Sequence, residues 1–172
     1  MYTVIGTRPD ITFTVTRLSQ FLTKPTKNHF GAIKHVFRYL KGTRDIKLSF
    51  PYSRQQQYHT SNAHASDALI LEGFTDSDFA GCPDTRRSTS DYIFKLANCA
   101  ISWRSRKQKS VATSTPEAEY MALAFAVKHY LWLLRGLQEF GYSDIIHSLS
   151  TDNTSTDDLA HNPRIGDKSK HI

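Results

Sequence analysis

The chain has 172 residues, 39% hydrophobic and 12% aromatic, with a net charge of +6. That content supports one domain of ordinary size, or a small domain with a helical appendage, and excludes a disordered chain. No apolar run reaches the ~18 residues of a membrane span and the start lacks a signal-peptide apolar core, so the expectation is an intracellular protein, cytoplasmic or nuclear, with an anionic partner that is nucleic acid and not membrane.

In chain order, Thr7-Arg8-Pro9-Asp10 reads as a helix start, with a Thr cap, Pro in the first turn and an acid at the third position. Ile11, Val15, Leu18 and Leu22 then form one helical stripe. After Thr23-Lys24-Pro25-Thr26 a second helix is expected over 28–41, with Phe30, Ile33, Phe37 and Leu40 on one face and Gly42 as terminator. Lys34, Arg38 and Lys41 flank it, either tracking a phosphate backbone or simply solvated. Residues 45–50 alternate like a strand, and the polar run that follows reads as a linker.

From residue 68 onward the texture is that of strands, expected at 69–76, 92–97 and 100–104 and joined by turns at Gly81-Cys82-Pro83-Asp84 and Ala97-Asn98-Cys99. This predicts an antiparallel meander. A long helix over 115–140 ends before Gly141, a strand follows near Ile145–Thr151, and a short helix over 153–160 precedes a basic tail. Cys82 and Cys99 lack metal-ligand spacing and read as small, at least half-buried side chains, while the eight histidines form no paired array.

The acids carry the chemistry. Asp76 and Asp78 alternate, so a strand persisting through both would project them from one face, as a metal-binding pair or as an ordinary polar strand end. Glu117 and Glu119 lie about 200° apart on a helix and cannot share one site. Ser114-Thr115-Pro116-Glu117 fits a capping box, which would occupy Glu117 and leave Glu119 above the small face Ala122, Leu123 and Ala126; the face below Glu117 is equally apolar, so the cap decides the preference. Asp152 ends an apolar alternation, and the alternative there is a helix cap at Asn153. The order strand Asp, helix Glu, strand Asp brings all three to one edge of a sheet, where carboxylate oxygens suit a hard divalent cation.

These residues carry a family resemblance. Phe74-Thr75-Asp76-Ser77-Asp78-Phe79-Ala80-Gly81, Asp84-Thr85-Arg86-Arg87-Ser88-Thr89-Ser90, Ile101-Ser102-Trp103-Arg104-Ser105-Arg106-Lys107-Gln108-Lys109, the segment 114–123, Trp132-Leu133 and Asp152-Asn153 resemble the ribonuclease H domain of copia-type (Pseudoviridae) LTR retrotransposon Pol polyproteins. Thr7-Arg8-Pro9-Asp10-Ile11, Leu18-Ser19-Gln20-Phe21 and Arg38-Tyr39-Leu40-Lys41-Gly42-Thr43 resemble the end of the reverse transcriptase just upstream. The resemblance implies an α/β, RNase H-like mixed sheet, an antiparallel three-strand meander plus a parallel strand, with packed helices. Its implied domains are a helical segment over 1–50, a polar linker over 51–70 and a truncated ribonuclease H-like domain over 71–172.

The activity implied is hydrolysis of the RNA strand of RNA–DNA hybrids with two Mg²⁺ ions, or Mn²⁺. Asp76, Glu119 and Asp152 would be catalytic and metal-binding, with Asp78 as an additional metal candidate. Arg86, Arg87, Ser88, Thr89, Arg104, Arg106, Lys107 and Lys109 would meet the nucleic-acid backbone. The resemblance places a last strand, a closing helix and a fourth catalytic Asp beyond Ile172, and the polymerase motif before Met1, so the expectation is a truncated derivative of weakened activity. Asp91 stands where the family carries Gly, and Asp157, Asp158 and Asp167 match no family motif. The alternatives are a silent nucleic-acid-binding relic and a recruited effector or interaction module, partnered or self-associated at an exposed sheet edge.

Overall fold

The computed structural model describes residues 2–50 and 69–152. Thr7 closes a helix instead of opening one. Helix α1 (Tyr2–Gly6) ends where the Thr7 and Arg8 N–H groups both donate to the Thr3 carbonyl, at 3.1 and 3.0 Å. Pro9–Ile11 make one 3-10 turn, and α2 (Thr12–Ser19) follows with Ile11, not a hydroxyl residue, at its N-cap. The predicted start is displaced because the Asp10 carboxylate serves side chains: it accepts from Arg8 at 2.7 Å and from Tyr39 at 2.8 Å. Leu22 lies beyond the end of α2 and is exposed, so the stripe from Ile11 is shorter than its spacing predicts.

Helix α3 (Lys27–Gly42) begins one residue early, with Thr26 and His29 exchanging the two hydrogen bonds of a capping box at 3.4 and 3.2 Å. Gly42 is its last residue and Thr43 its cap. Residues 45–50 form no strand, since an alternating pattern becomes one only when a neighbouring strand takes its hydrogen bonds. The run 51–68 and the helix read over 153–160 lie outside the described residues.

The sheet has four strands, β1 (Leu69–Asp78), β2 (Thr89–Leu96), β3 (Cys99–Lys107) and β4 (Ile145–Thr151), in the order β3-β2-β1-β4. The first three are the predicted meander, each longer than expected, and β1 opens inside the segment read as linker. Ala97 and Asn98, at φ 48° and 65°, form the two-residue turn between β2 and β3, the left-handed geometry whose twist matches a hairpin. Helix α4 (Thr115–Glu139) carries the chain back so that β4 pairs parallel with β1. It ends one residue before the predicted limit, with Gly141 at φ 90° and the N–H groups of Gly141 and Tyr142 returning to Gln138 and Leu137.

Along β1, Leu71, Gly73, Thr75 and Ser77 are buried toward α4, whose Ala118, Ala122 and Ala126 form a stripe small enough to let the helix lie close. The core is Leu71, Tyr92, Phe94 and Ala126. Gly73 is required there, because a Cβ would stand 2.5 Å from the Phe94 ring and 2.6 Å from Leu149. The opposite sheet face receives the N-terminal helices: the Trp103 indole N–H donates to Val4 O at 2.7 Å, and Pro9, Thr12 and Phe13 close a cavity of about 230 Å³ against Phe74, Asp76 and Asp91.

Candidate functional site

Strand β1 persists through Asp78, so Asp76 and Asp78 do project from one face. Its parallel register with β4 ends at Thr75 opposite Thr151, which makes Asp76 and Asp152 the next residues at two adjacent strand ends. Helix α4 begins at the same end. Gln108, just after β3, donates from one amide nitrogen to Ser90 Oγ at 2.9 Å and to Ala118 O at 2.8 Å, and Ser90 is the register partner of Ser77. Glu119 therefore stands level with the C-terminal end of β1.

The helix start assigns the two glutamates as the cap reading expects. Ser114 Oγ accepts from Glu117 N at 3.3 Å, and Glu117 Oε2 accepts from Thr113 N and Thr113 Oγ1, both at 2.6 Å. The return donor is thus Thr113 and not the cap residue itself. Glu119, only 6% exposed, lies on the buried face of α4 with Ala118, Ala122 and Ala126.

Proximity along the sheet is not convergence. Strand alternation turns Asp76 to the exposed set of β1, away from α4, while Glu119 lies on the α4 side. Among the described residues no three Asp, Glu, His or Cys side chains stand close enough to hold a metal ion. The carboxylates are the right donors for Mg²⁺ and are gathered at one sheet end, without a preformed cage.

Two residues that sequence reasoning left outside the site border it. Asp91 is the direct cross-strand partner of Asp76; burial, then the charges of Asp76 and Asp78, push its carboxyl pKa up, against a lowering contribution from Ser105. Its only sequence signal is the departure from the family's Gly. Arg17 of α2 donates to Gly81 O at 2.6 Å and approaches Asp78 Oδ2 at 4.0 Å, a contact across 64 residues that no local pattern reveals. Asp78 folds back over Gly81, occupying the place a Cβ on residue 81 would need.

The predicted backbone-binding residues divide. Arg86 and Arg87 are exposed in the loop after β1, whereas Ser88 and Thr89 are buried and Ser88 Oγ accepts from Ala80 N at 3.0 Å. Arg104 and Arg106 are exposed with their guanidinium groups 5.6 and 5.9 Å from the Phe125 ring centre. Lys107 turns inward, donating to Cys82 Sγ at 2.7 Å and Gln20 Oε1 at 3.2 Å. That ammonium, with help from Thr85, lowers the Cys82 thiol pKa to about 6. Lys109 is exposed beside a cavity of about 370 Å³ between β3 and α4. Both cysteines are buried and free, as expected.

No helix of the described residues is long and apolar enough to cross a membrane. No protein-family model matches the chain, and no solved structure matches it. It is 41% identical over 172 residues to the retrovirus-related Pol polyprotein from transposon TNT 1-94 of Nicotiana tabacum, covering all of this chain and 12% of that protein. To the retrovirus-related Pol polyprotein from transposon RE2 of Arabidopsis thaliana it is 36% identical over 168 residues, covering 96% of this chain and 11% of that one. It is 42% identical over 133 residues to secreted RxLR effector protein 161 of Plasmopara viticola, covering 77% of this chain and 84% of the effector. The chain spans about a tenth of the Pol polyproteins it matches. With this similarity running through both the helical segment and the sheet, the chain is retrotransposon-derived and matches one stretch of the retrovirus-related Pol polyproteins of plant transposons.

Proposed function

We propose that this chain is a copia-type Pol segment with an RNase H-like fold that hydrolyses the RNA strand of RNA–DNA hybrids. The observation that carries the reading is the placement of Asp76 and Asp152 as the next residues beyond the paired stretch of β1 and β4, with Glu119 near the start of α4 level with that end of the sheet. Asp76, Glu119 and Asp152 would hold Mg²⁺ or Mn²⁺, with Asp78 as a further donor; when bound, such ions activate water and stabilise a leaving oxygen. The chain's own contribution is placement. The Gln108 bridge between Ser90 and Ala118 sets α4 against the sheet end, and Arg17 steadies the Asp78–Gly81 turn. Arg86, Arg87, Arg104, Arg106 and Lys109 supply positive charge for the hybrid backbone, in a chain whose net charge is +6.

A labelled hybrid incubated with the protein and Mg²⁺ should be cut, and Asp76→Asn and Glu119→Gln should each reduce the rate by at least about a hundredfold, the scale of removing a metal-supporting group. Uncut hybrid with folded wild-type protein, or wild-type rates in both variants, overturns the reading. A second reading, a recruited module acting by interaction, is favoured by the match across 84% of the protein named as a secreted RxLR effector. A stable protein complex unaffected by Asp76→Asn, with no cleavage, supports it.

A further inference from the structure

On the opposite side of the sheet from Asp76, β3 and α4 enclose a groove whose contents differ in kind from the carboxylate end. The cavity of about 370 Å³ is lined by Arg106, Lys109 and Lys128 around Gln108, Met121 and Phe125. Among the described residues the ion pairs are Arg8–Asp10 and Arg17–Asp78, so none of the groove cations is neutralised by a carboxylate of that part of the chain. Arg106 lies against the Phe125 ring, which holds its charge at the groove wall. Three cations on a wall formed by strand and helix suit a multivalent anion.

Helix α4 extends the same surface. Met121, Phe125, Lys128 and Trp132 recur at spacings of four, three and four, a single helical face about 16 Å long. Trp132 is 66% exposed although it is among the most apolar side chains available, and its ring stacks on His129 with centroids 5.2 Å apart, leaving the indole's other face free of any ring contact among the described residues. A basic track ending in a held, exposed aromatic plate is the combination that binds single-stranded nucleic acid, with phosphates on the cations and a base on the ring. A cavity of this volume, at the small end of ligand pockets, is of a size for a nucleotide unit.

We infer that the β3–α4 groove is a binding site for a single strand of nucleic acid, with Arg106, Lys109 and Lys128 on successive phosphates and Trp132 stacked on a base. The site deepens the proposed function by giving it a strand-holding surface, but it uses none of Asp76, Glu119 or Asp152.

The test is fluorescence anisotropy of a labelled fifteen-nucleotide single strand, as RNA and as DNA, with the full chain in EDTA at several salt concentrations; a blunt duplex of the same sequence is run in parallel. Lys128→Glu should weaken single-strand binding about tenfold or more and flatten its salt dependence by one to two phosphate contacts. Trp132→Ala should weaken it about tenfold with the salt dependence unchanged, since stacking releases no counterion. Lys95→Glu, whose side chain lies over Phe74 on the other sheet face, should change it less than twofold and controls for net charge. Circular dichroism establishes that each variant is folded. Absence of single-strand binding, equal effects of Lys128→Glu and Lys95→Glu, or a duplex bound more tightly and indifferent to Trp132→Ala each overturns the inference. Because the assay contains no divalent metal, its outcome is independent of whether hybrid is cut: binding with these effects and no cleavage rejects the nuclease reading alone, and cleavage without them rejects the groove alone.

Discussion

Helices α3 and α4 both carry apolar residues at helical spacing, yet they are used in opposite ways. On α4 the inward residues are Ala118, Ala122 and Ala126, and they are buried under a sheet. On α3 the stripe holds Phe30 and Phe37, which remain 60% and 66% exposed, and no residue of the helix is buried among the described part of the chain. Periodicity tells which face of a helix is apolar; side-chain size and the presence of a flat partner decide whether the chain itself covers it. Small residues let α4 approach the sheet closely, while the bulky aromatics on α3 meet no covering surface among the described residues.

Four substitutions probe this difference between a covered and an uncovered helix face and the sheet beneath it. Ala126→Phe should destabilise the fold by about 3 kcal/mol in chemical denaturation, because a ring must be forced between α4 and the Tyr92–Phe94 layer. A cost near zero would mean that α4 does not seat where its alanines place it. Gly73→Ala should cost about 2 kcal/mol by the same measurement, since the new methyl enters the space of Phe94 and Leu149.

Asp91→Asn should stabilise by about 1 kcal/mol at neutral pH, the scale of relieving a like-charged cross-strand pair. The sign follows from linkage. Burial and the charges of Asp76 and Asp78 raise the folded-state pKa, so the folded chain holds this proton better than the unfolded chain does. Stability is highest below the unfolded carboxylate pKa and falls as pH rises through the folded one. The gain from Asn should therefore be present at pH 7 and vanish in a melt at about pH 3, below the unfolded value near 3.9; a pH-independent gain would assign the effect to packing. Phe37→Ser should shift the midpoint by no more than about 0.5 kcal/mol, as expected of an exposed position. A loss comparable with Ala126→Phe would show the α3 stripe to be covered.

The same contrast explains what the sequence makes legible. The meander, the Ala97–Asn98 turn, α4 and β4 were readable because their patterns agree with their surroundings: alternation where strands have partners, a left-handed turn between them, small residues where a helix meets a sheet. The start of α2 was not, because Asp10 is drawn to Arg8 and Tyr39, and Tyr39 lies 29 residues away. Residues 45–50 alternate without acquiring a partner strand. The different placements of Glu117, at the helix start, and Glu119, on the buried face of α4, followed from the capping pattern, whereas the positions of Arg17 beside Gly81 and Lys128 beside β3 depend on tertiary placement that no spacing encodes.

The chain contains two tryptophans, and they sit on opposite faces of the sheet. Trp103 is hydrogen-bonded to Val4 across 99 residues, so its indole is sheltered only when the N-terminal helices are docked. Trp132 is exposed at the end of the α4 track. Each face thus has its own intrinsic fluorophore. With Trp132→Phe, the remaining emission should shift to the red as α1 and α2 leave the sheet. With Trp103→Phe, it should respond to whatever occupies the groove. Docking and occupancy could then be followed separately in the unlabelled chain.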